Sequence, residues 1–421
     1  MTMPQTRHYE MKDSGVEWIG EIPRHWEQSD IGALYTLRNT KVSDKDYPPL
    51  SVTMRGILPQ LETVAKTNDG DNRKLVMAGD FAINSRSDRR GSCGISSYDG
   101  SVSLINTVLT PRGAMHPGFY DWLFHAEQFA DEFYKWGHGI VDDLWTTCWS
   151  EMKSIIVPTP PLSEQAAIAA YLDEKCATID AIITEAKASI EEYKSWKASV
   201  IFETVTKGLN PYAEMKDSGV EWIGEIPKGW NLMPFGKIAS IKACLVPPKE
   251  YPFLPQISPD NIEKGSARLL QNYKTVQESG VISWNHHFYK GQIIYSKVRP
   301  TLNKLFLAQF EGLCSADMYP IETTQDARYL VYAMLSGYFV QQVAAITANR
   351  VKMPKINKQE LSKITVLLPP LSEQASIVSY LDRKCSLIDG IILEKEELIK
   401  ELENYRRSLI FEVVTGKRRV C

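Results

Sequence analysis

Apolar residues recur at positions 168, 172, 179, 183, 186, 190, 193 and 200 within residues 162–207, a stretch that no proline or glycine interrupts. The pattern returns at 377, 381, 388, 391, 398, 402, 405 and 409 within residues 371–415, where only Gly390 interrupts it. A period near 3.5 residues sustained over about 40 residues predicts a coiled-coil helix in each place. At 1.5 Å per residue each helix would extend about 60 Å. Each apolar stripe needs a partner, and the nearest candidate is the other copy. Pro-Pro-Leu-Ser precedes both, which sets Ser163 and Ser372 as N-caps with Glu164 and Glu373 in the first turn.

Elsewhere the pattern shortens and alternates. VMAGDFAINSR (76–86) and FYKGQIIYSKVRP (288–300) each place a glycine turn before a short apolar run that ends in basic residues. SVSLINTVLTP (101–111) and KITVLLPP (363–370) read as further strands. YDWLFHAEQFADEFYKW (120–136) and ARYLVYAMLSGYFVQQVAAI (327–346) read as single amphipathic helices in corresponding places. These two variable regions plainly follow one α+β plan.

Two repeats frame that plan. MKDSGVEWIGEIP occupies residues 11–23 and again, unchanged, 215–227. PPLSEQAAIAAYLDEKCATIDAII (160–183) aligns with PPLSEQASIVSYLDRKCSLIDGII (369–392), identical at 17 of 24 positions. SVIFETVTKG (199–208) then corresponds to SLIFEVVTGK (408–417). The short tag is net acidic through Asp13, Glu17 and Glu21. With Trp18 and Ile19, and Trp222 and Ile223, of a buried type, it reads as scaffold that closes against the long helices or meets a partner subunit.

Composition narrows the class. The 421 residues are 43% hydrophobic and 24% charged, as in globular proteins of two or three domains. No run of eighteen apolar residues suggests a membrane helix, and the first residues lack the apolar core of a secretory signal. Seven scattered cysteines without a CxxC pair suit reduced thiols in a cytoplasm. Net charge is −3, but it is unevenly placed. Residues 24–160 hold 14 Lys+Arg against 17 Asp+Glu, while residues 228–368 hold 17 against 9, a net of +8.

The residues of a reaction centre do not assemble in the sequence. Asn210-Pro211-Tyr212 lacks the second proline of an adenine methyltransferase motif and no glycine-rich cofactor loop accompanies it. Pro259-Asp260 with Glu263-Lys264 has the wrong spacing for a nuclease site, and Gly416-Lys417 lacks the upstream glycine of a phosphate loop. Adjacent His286 and His287 point apart on a strand and read as solvated or core histidines.

The order of parts, MKDSGVEWIGEIPxxW, a variable region, PPLSEQ opening a long helix, then all three again, resembles the specificity subunit of type I restriction–modification systems over the whole chain. The resemblance implies an α+β molecule in which two similar target recognition domains are joined by two long antiparallel helices in a pseudo-twofold repeat. It divides the chain into a conserved segment (1–25), a first recognition domain (26–160), a central helix (161–210), the second conserved segment (211–228), a second recognition domain (229–369) and a C-terminal helix (370–421). Each domain would read one half of a bipartite site on double-stranded DNA. The helices would set the spacing and dock two methyltransferase subunits, with restriction/translocase subunits joining them. No cofactor is expected in this chain; S-adenosylmethionine, ATP and Mg belong on those partners. A coiled-coil scaffold with two protein-binding domains, and a modification-only complex, are the alternatives.

Three segments are candidates to read DNA. Asn84, Ser85, Arg86, Arg89 and Arg90 follow the first glycine-turn strand, and arginine and asparagine are the side chains best matched to guanine and adenine edges. Lys297, Arg299, Asn303 and Lys304 hold the corresponding place in the second region. Arg350, Lys352 and Lys355 recur near its end, opposite an acidic, tryptophan-rich segment (135–154) where Lys135, His138 and Trp145 are lesser candidates.

Overall fold

A computed structural model describes residues 10–60, 70–139, 145–350 and 352–420. It divides into two compact units, Met1–Lys187 with Glu396–Cys421, and Ala188–Lys395. The long helices run Leu162–Lys207 and Leu371–Val414, so each unit holds the first part of one and the last part of the other.

Within each unit the two helix segments run antiparallel. In the first, Arg406 pairs with Asp180 at 3.2 Å and Lys187 with Glu403 at 3.6 Å. In the second, Lys197 meets Asp389 at 2.7 Å and Lys395 lies 5.9 Å from the Tyr193 ring. The central helix buries Leu172, Cys176, Ile179, Ile183, Ala186 and Ile190, steps of four and three that keep one seam facing a partner. In the C-terminal helix the ladder is Leu381, Cys385, Ile388, Ile392 and Ile399. The expected positions 398 and 405 are therefore corrected: Leu398 and Tyr405 are exposed, one residue and more off a seam that passes through Cys385.

The helix starts also differ from expectation. The amides of Glu164 and Gln165 reach the Pro161 carbonyl at 2.9 and 3.0 Å, and those of Glu373 and Gln374 reach Pro370 at 2.9 Å. Ser163 and Ser372 thus lie inside the first turn and do not cap it. The glutamine two residues later anchors the helix start in another way. Gln165 Nε2 donates to the Pro160 carbonyl at 2.8 Å while its Oε1 accepts the His116 amide at 2.9 Å. Gln374 repeats this with Pro369 and the Asp326 amide, at 2.9 and 3.1 Å. His116 and Asp326 head the helices Pro117–Phe124 and Ala327–Leu335, so one side chain ties a long helix to its neighbouring domain.

The tag folds as a hairpin, Met11–Asp13 against Glu21–Pro23 and Met215–Asp217 against Glu225–Pro227. The tryptophan three residues beyond each hairpin, Trp26 or Trp230, is buried and joins three conserved parts. Its indole donates to Glu164 at 2.9 Å or Glu373 at 3.0 Å. Its ring backs onto a left-handed glycine that ends a long helix: Gly416 (φ 74°) for Trp26 and Gly208 (φ 73°) for Trp230. In the first unit Lys417 Nζ also donates to the Ile19 carbonyl at 2.6 Å. The identical tags nonetheless differ in surroundings, most at the first tryptophan. Trp18 packs edge-on against Phe129 at 5.9 Å, whereas Trp222 is 37% exposed, which corrects the expectation that both are buried.

Each unit carries a four-stranded sheet of the same order. In the first it runs Cys93–Ile95, Phe81–Asn84, Asn106–Pro111, Tyr35–Leu37. In the second it runs Leu305–Leu307, Ile293–Ser296, Met318–Thr323, Ala239–Ile241. Gly79 and Gly291, both at φ 90°, make the expected turns into the central strands. Two helices cover each sheet where one was expected. The breaks fall at His125–Ala126, between Pro117–Phe124 and Glu127–Lys135, and at Ser336, between Ala327–Leu335 and Gly337–Thr347. Ala126 and Ser336 adopt extended backbone (ψ 134° and 146°), which lets both short helices turn their aromatic faces inward. Among the described residues no single helix is long and apolar enough to cross a membrane.

Candidate nucleic-acid interface

The loop that follows each central strand is stitched to a second loop from late in the same domain. In the second unit the Ile356 amide donates to the Lys297 carbonyl at 3.0 Å and the Arg299 amide to Pro354 at 2.8 Å. Val298 and Lys355 form an isolated bridge between them. In the first unit the Thr147 amide donates to the Ser85 carbonyl at 3.0 Å, and Arg86 bridges Thr146. Two segments that the sequence treats as separate candidates thus form one edge in each unit, built the same way. Residues 140–144 of the first edge, and Val351 of the second, lie outside the described residues.

The backbone of the second edge is forced. Arg299, Asn303 and Met353 all have φ 47°, a left-handed conformation that non-glycine side chains rarely adopt. Gly91 (φ 73°) holds the place of Asn303 in the first edge: Asn84 N bonds Ser92 O as Ser296 N bonds Lys304 O, each pair flanking the turn. Glycine and asparagine are the residues that tolerate this position best. Asn303 adds a side-chain bond, Nδ2 to the Met334 carbonyl at 2.9 Å.

The candidate readers differ in burial and partners. Asn84, Ser85 and Asn303 are buried. Asn84 Oδ1 accepts the Arg86 amide at 3.1 Å, and Ser85 Oγ shares a hydrogen bond with Thr107 at 3.0 Å. These side chains hold their loops from inside. Lys297 donates to the Ala316 carbonyl and Lys304 to the Pro259 carbonyl, at 2.7 and 2.8 Å. Arg350 grips Glu360 and the Lys355 carbonyl. That hydrogen bond holds the Glu360 carboxyl below the ordinary glutamate range. Lys355 pairs with Asp317 at 2.9 Å. In the first unit Arg90 pairs with Asp131, and Arg89 lies 3.7 Å from Asp88. Arg299 and Lys352 are exposed, and neither meets a carboxylate among the described residues; Arg86 is half-buried. Met353, 56% exposed beside Lys352, is a surface feature that the sequence reading missed. An exposed apolar residue inside a basic loop was the available signal.

The lesser candidates resolve similarly. Trp145 donates to the Tyr134 carbonyl at 2.7 Å and stacks over Gly137, where any Cβ would lie 2.3 Å from its indole nitrogen. It packs the edge. Lys135 sits between Glu17 and Glu132, at 3.3 and 3.7 Å, and His138 is exposed. His287 is wedged between Tyr251 and Tyr289 and bonds Glu311 at 2.8 Å, while burial lowers the pKa of His286. Asn210 Oδ1 accepts the Tyr212 amide at 3.0 Å in a turn that leaves Tyr212 90% exposed. Among the described residues no group of three His, Cys, Asp or Glu side chains could hold a metal ion.

Residues 227–404 match the family described as the type I restriction modification DNA specificity domain. The chain is 28% identical over 426 residues to the type I restriction enzyme EcoDI specificity subunit of Escherichia coli, covering 94% of this chain and 90% of that one. It is 24% identical to the type I restriction enzyme MjaVIII specificity subunit of Methanocaldococcus jannaschii, over 64% of this chain and 63% of that one. A solved structure described under "Structural basis underlying complex assembly and conformational transition of the type I R-M system" superposes with a TM-score of 0.70 at 14% identity, covering 94% of this chain and 99% of that one. That likeness shows the fold.

Proposed function

The chain belongs to the DNA specificity subunits of type I restriction systems, and from that premise we propose that its two units read two different halves of one bipartite DNA target. The observation that carries this reading is the repeated edge. Both units hold a strand-end loop against a late loop by equivalent backbone bonds, yet fill the frame with different side chains. A common frame with different contents suits two readers of unlike half-sites. The chain supplies recognition and no active site of its own. Adenine-N6 methylation with S-adenosylmethionine, and cleavage with ATP and Mg, fall to methyltransferase and translocase partners.

The long helices suit the docking of those methyltransferase subunits. Besides the seam they bury, they expose a second apolar set that includes Ile182, Trp196, Leu387 and Tyr405. In the second unit Trp196, Leu387, Gly390 and Ile391 line a groove of about 430 Å³. An apolar helix face left open on a charged helix is what a partner helix would cover.

The test is a methylome. In a host expressing the complete system, single-molecule sequencing should reveal one asymmetric bipartite methylated motif. Exchanging residues 26–155 for another member's first variable region should change one half of that motif only. A change in both halves would end the modular reading. If the assembled complex bound duplex DNA without salt dependence or sequence preference, the scaffold alternative would replace it.

A further inference from the structure

We infer that the two units do not share the work of DNA capture: the half-site read by residues 229–369 is engaged first and anchors the complex electrostatically. The other half-site then joins with little further charge neutralisation. This rests on the bipartite reading above and adds an order to it.

The charges carry the argument. Residues 228–368 have 17 Lys+Arg against 9 Asp+Glu (17 − 9 = +8), and residues 24–160 have 14 against 17 (14 − 17 = −3). Screening confines a charge's influence to about 8–10 Å at physiological salt, so each edge answers mainly to its own side chains. The second edge presents Arg299 and Lys352 exposed and unpaired among the described residues, while Lys297 and Lys355 share the single carboxylate of Asp317. The first edge has neutralised more of its charge, although Arg86 there meets no carboxylate among the described residues and Arg350 of the second edge is held by Glu360. Arg90 is held by Asp131, Arg89 faces Asp88, and Lys135 lies between Glu17 and Glu132.

Binding to duplex DNA gains free energy when protein cations displace condensed counterions, about 0.9 per phosphate neutralised. A cation already held by a carboxylate must exchange one anion for another, so it releases fewer. Steering follows the same logic, since attraction to a polyanion within that screening length raises the association rate of the basic face most. The left-handed backbone at Arg299 and Met353 strengthens the case. It fixes the backbone from which Arg299 projects, so less ordering of the loop is left for contact.

The test uses the specificity subunit assembled with its methyltransferase subunits. Association rates and salt series are measured on duplexes carrying the full motif, either half alone, or neither. The 26–155 exchange assigns each half to its unit. The duplex keeping only the second unit's half should associate within about threefold of the full motif, and the one keeping only the first unit's half at the rate of non-specific DNA. In parallel, Arg299→Gln with Lys352→Gln should lower the slope of log K against log salt by about 2, one per lost phosphate contact. Arg86→Gln with Arg89→Gln should lower it by less than 1. Equal rates on the two half-motif duplexes, equal slope losses, or the reverse order would overturn the inference. A complex that does not prefer the full motif over neither half would instead remove the bipartite reading on which it stands.

Discussion

Trp230 shows how much one residue can be asked to join. Its indole N–H meets the Glu373 carboxylate at 3.0 Å, its ring backs onto Gly208, and Trp26 repeats both contacts with Glu164 and Gly416. A hydrogen bond to a charged, half-buried acceptor contributes roughly 1.5–3 kcal/mol. Trp230→Phe keeps most of the ring and should lower unfolding stability in urea by about that amount. Glu373→Ala should cost at least as much but not add in full to it, because both remove the same bond. The Arg350–Glu360 pair gives a pH dependence. The carboxyl pKa is depressed in the folded state, so its contribution is present above the ordinary glutamate value of 4.5 and disappears as pH falls through the lower folded value. The stability gap between the parent and Glu360→Gln should therefore close on acidification. A gap that widened below pH 4 would contradict it. At this scale the sequence revealed which residues are polar and clustered, but not which way they turn. Nothing in FAINSR marks Asn84 and Ser85 as buried. Their inward direction follows from the pairing of Asn84 with Asn106 and the bond from the Ser85 amide to the Ile105 carbonyl, twenty or more positions away.

The long helices were the most legible elements, because a 3.5-residue period needs no tertiary information. Their starts and their seam were less so. Pro-Pro fixes where the helix can begin, yet Gln165 and Gln374 tie that start to backbone at His116 and Asp326 that the sequence does not show to be near. Cys385 escaped notice as a seam residue, although its burial raises the thiol pKa to about 11 and keeps it an inert core group. The corrected seam makes a clean comparison. Ile388→Ala should cost about 2–5 kcal/mol, whereas Leu398→Ala should change stability by less than about 0.5 kcal/mol and weaken assembly with methyltransferase subunits instead. Chemical denaturation and co-purification separate the two effects. Removing one heptad from both helices shortens each by about 10 Å, and the unread gap in the methylated motif should change with it. The short domain helices were read as single because neither break carries a proline, although Phe129 and Phe339 just beyond the breaks are fully buried.

For the whole molecule, the repeat announced two equivalent halves, and two four-stranded sheets of one strand order bear that out. What the repeat hid is how the parts are shared. The first unit gathers residues from both extremes of the sequence, and the second takes only its middle. Contacts of that range follow from the geometry of long helices, which carry the chain out of one unit and back into it.

The tryptophan junction has a consequence for the order in which the chain is written. Gly208 leads onward into Trp230 through covalent chain, while Gly416 reaches Trp26 by contact alone, with Lys417 holding the Ile19 carbonyl. Both junctions set a helix-ending glycine against a tryptophan that follows a tag hairpin. A circular permutant that joins residue 418 to residue 10 by a short linker, and opens the exposed turn at Tyr212, should fold with unchanged unfolding cooperativity and direct methylation to the same motif.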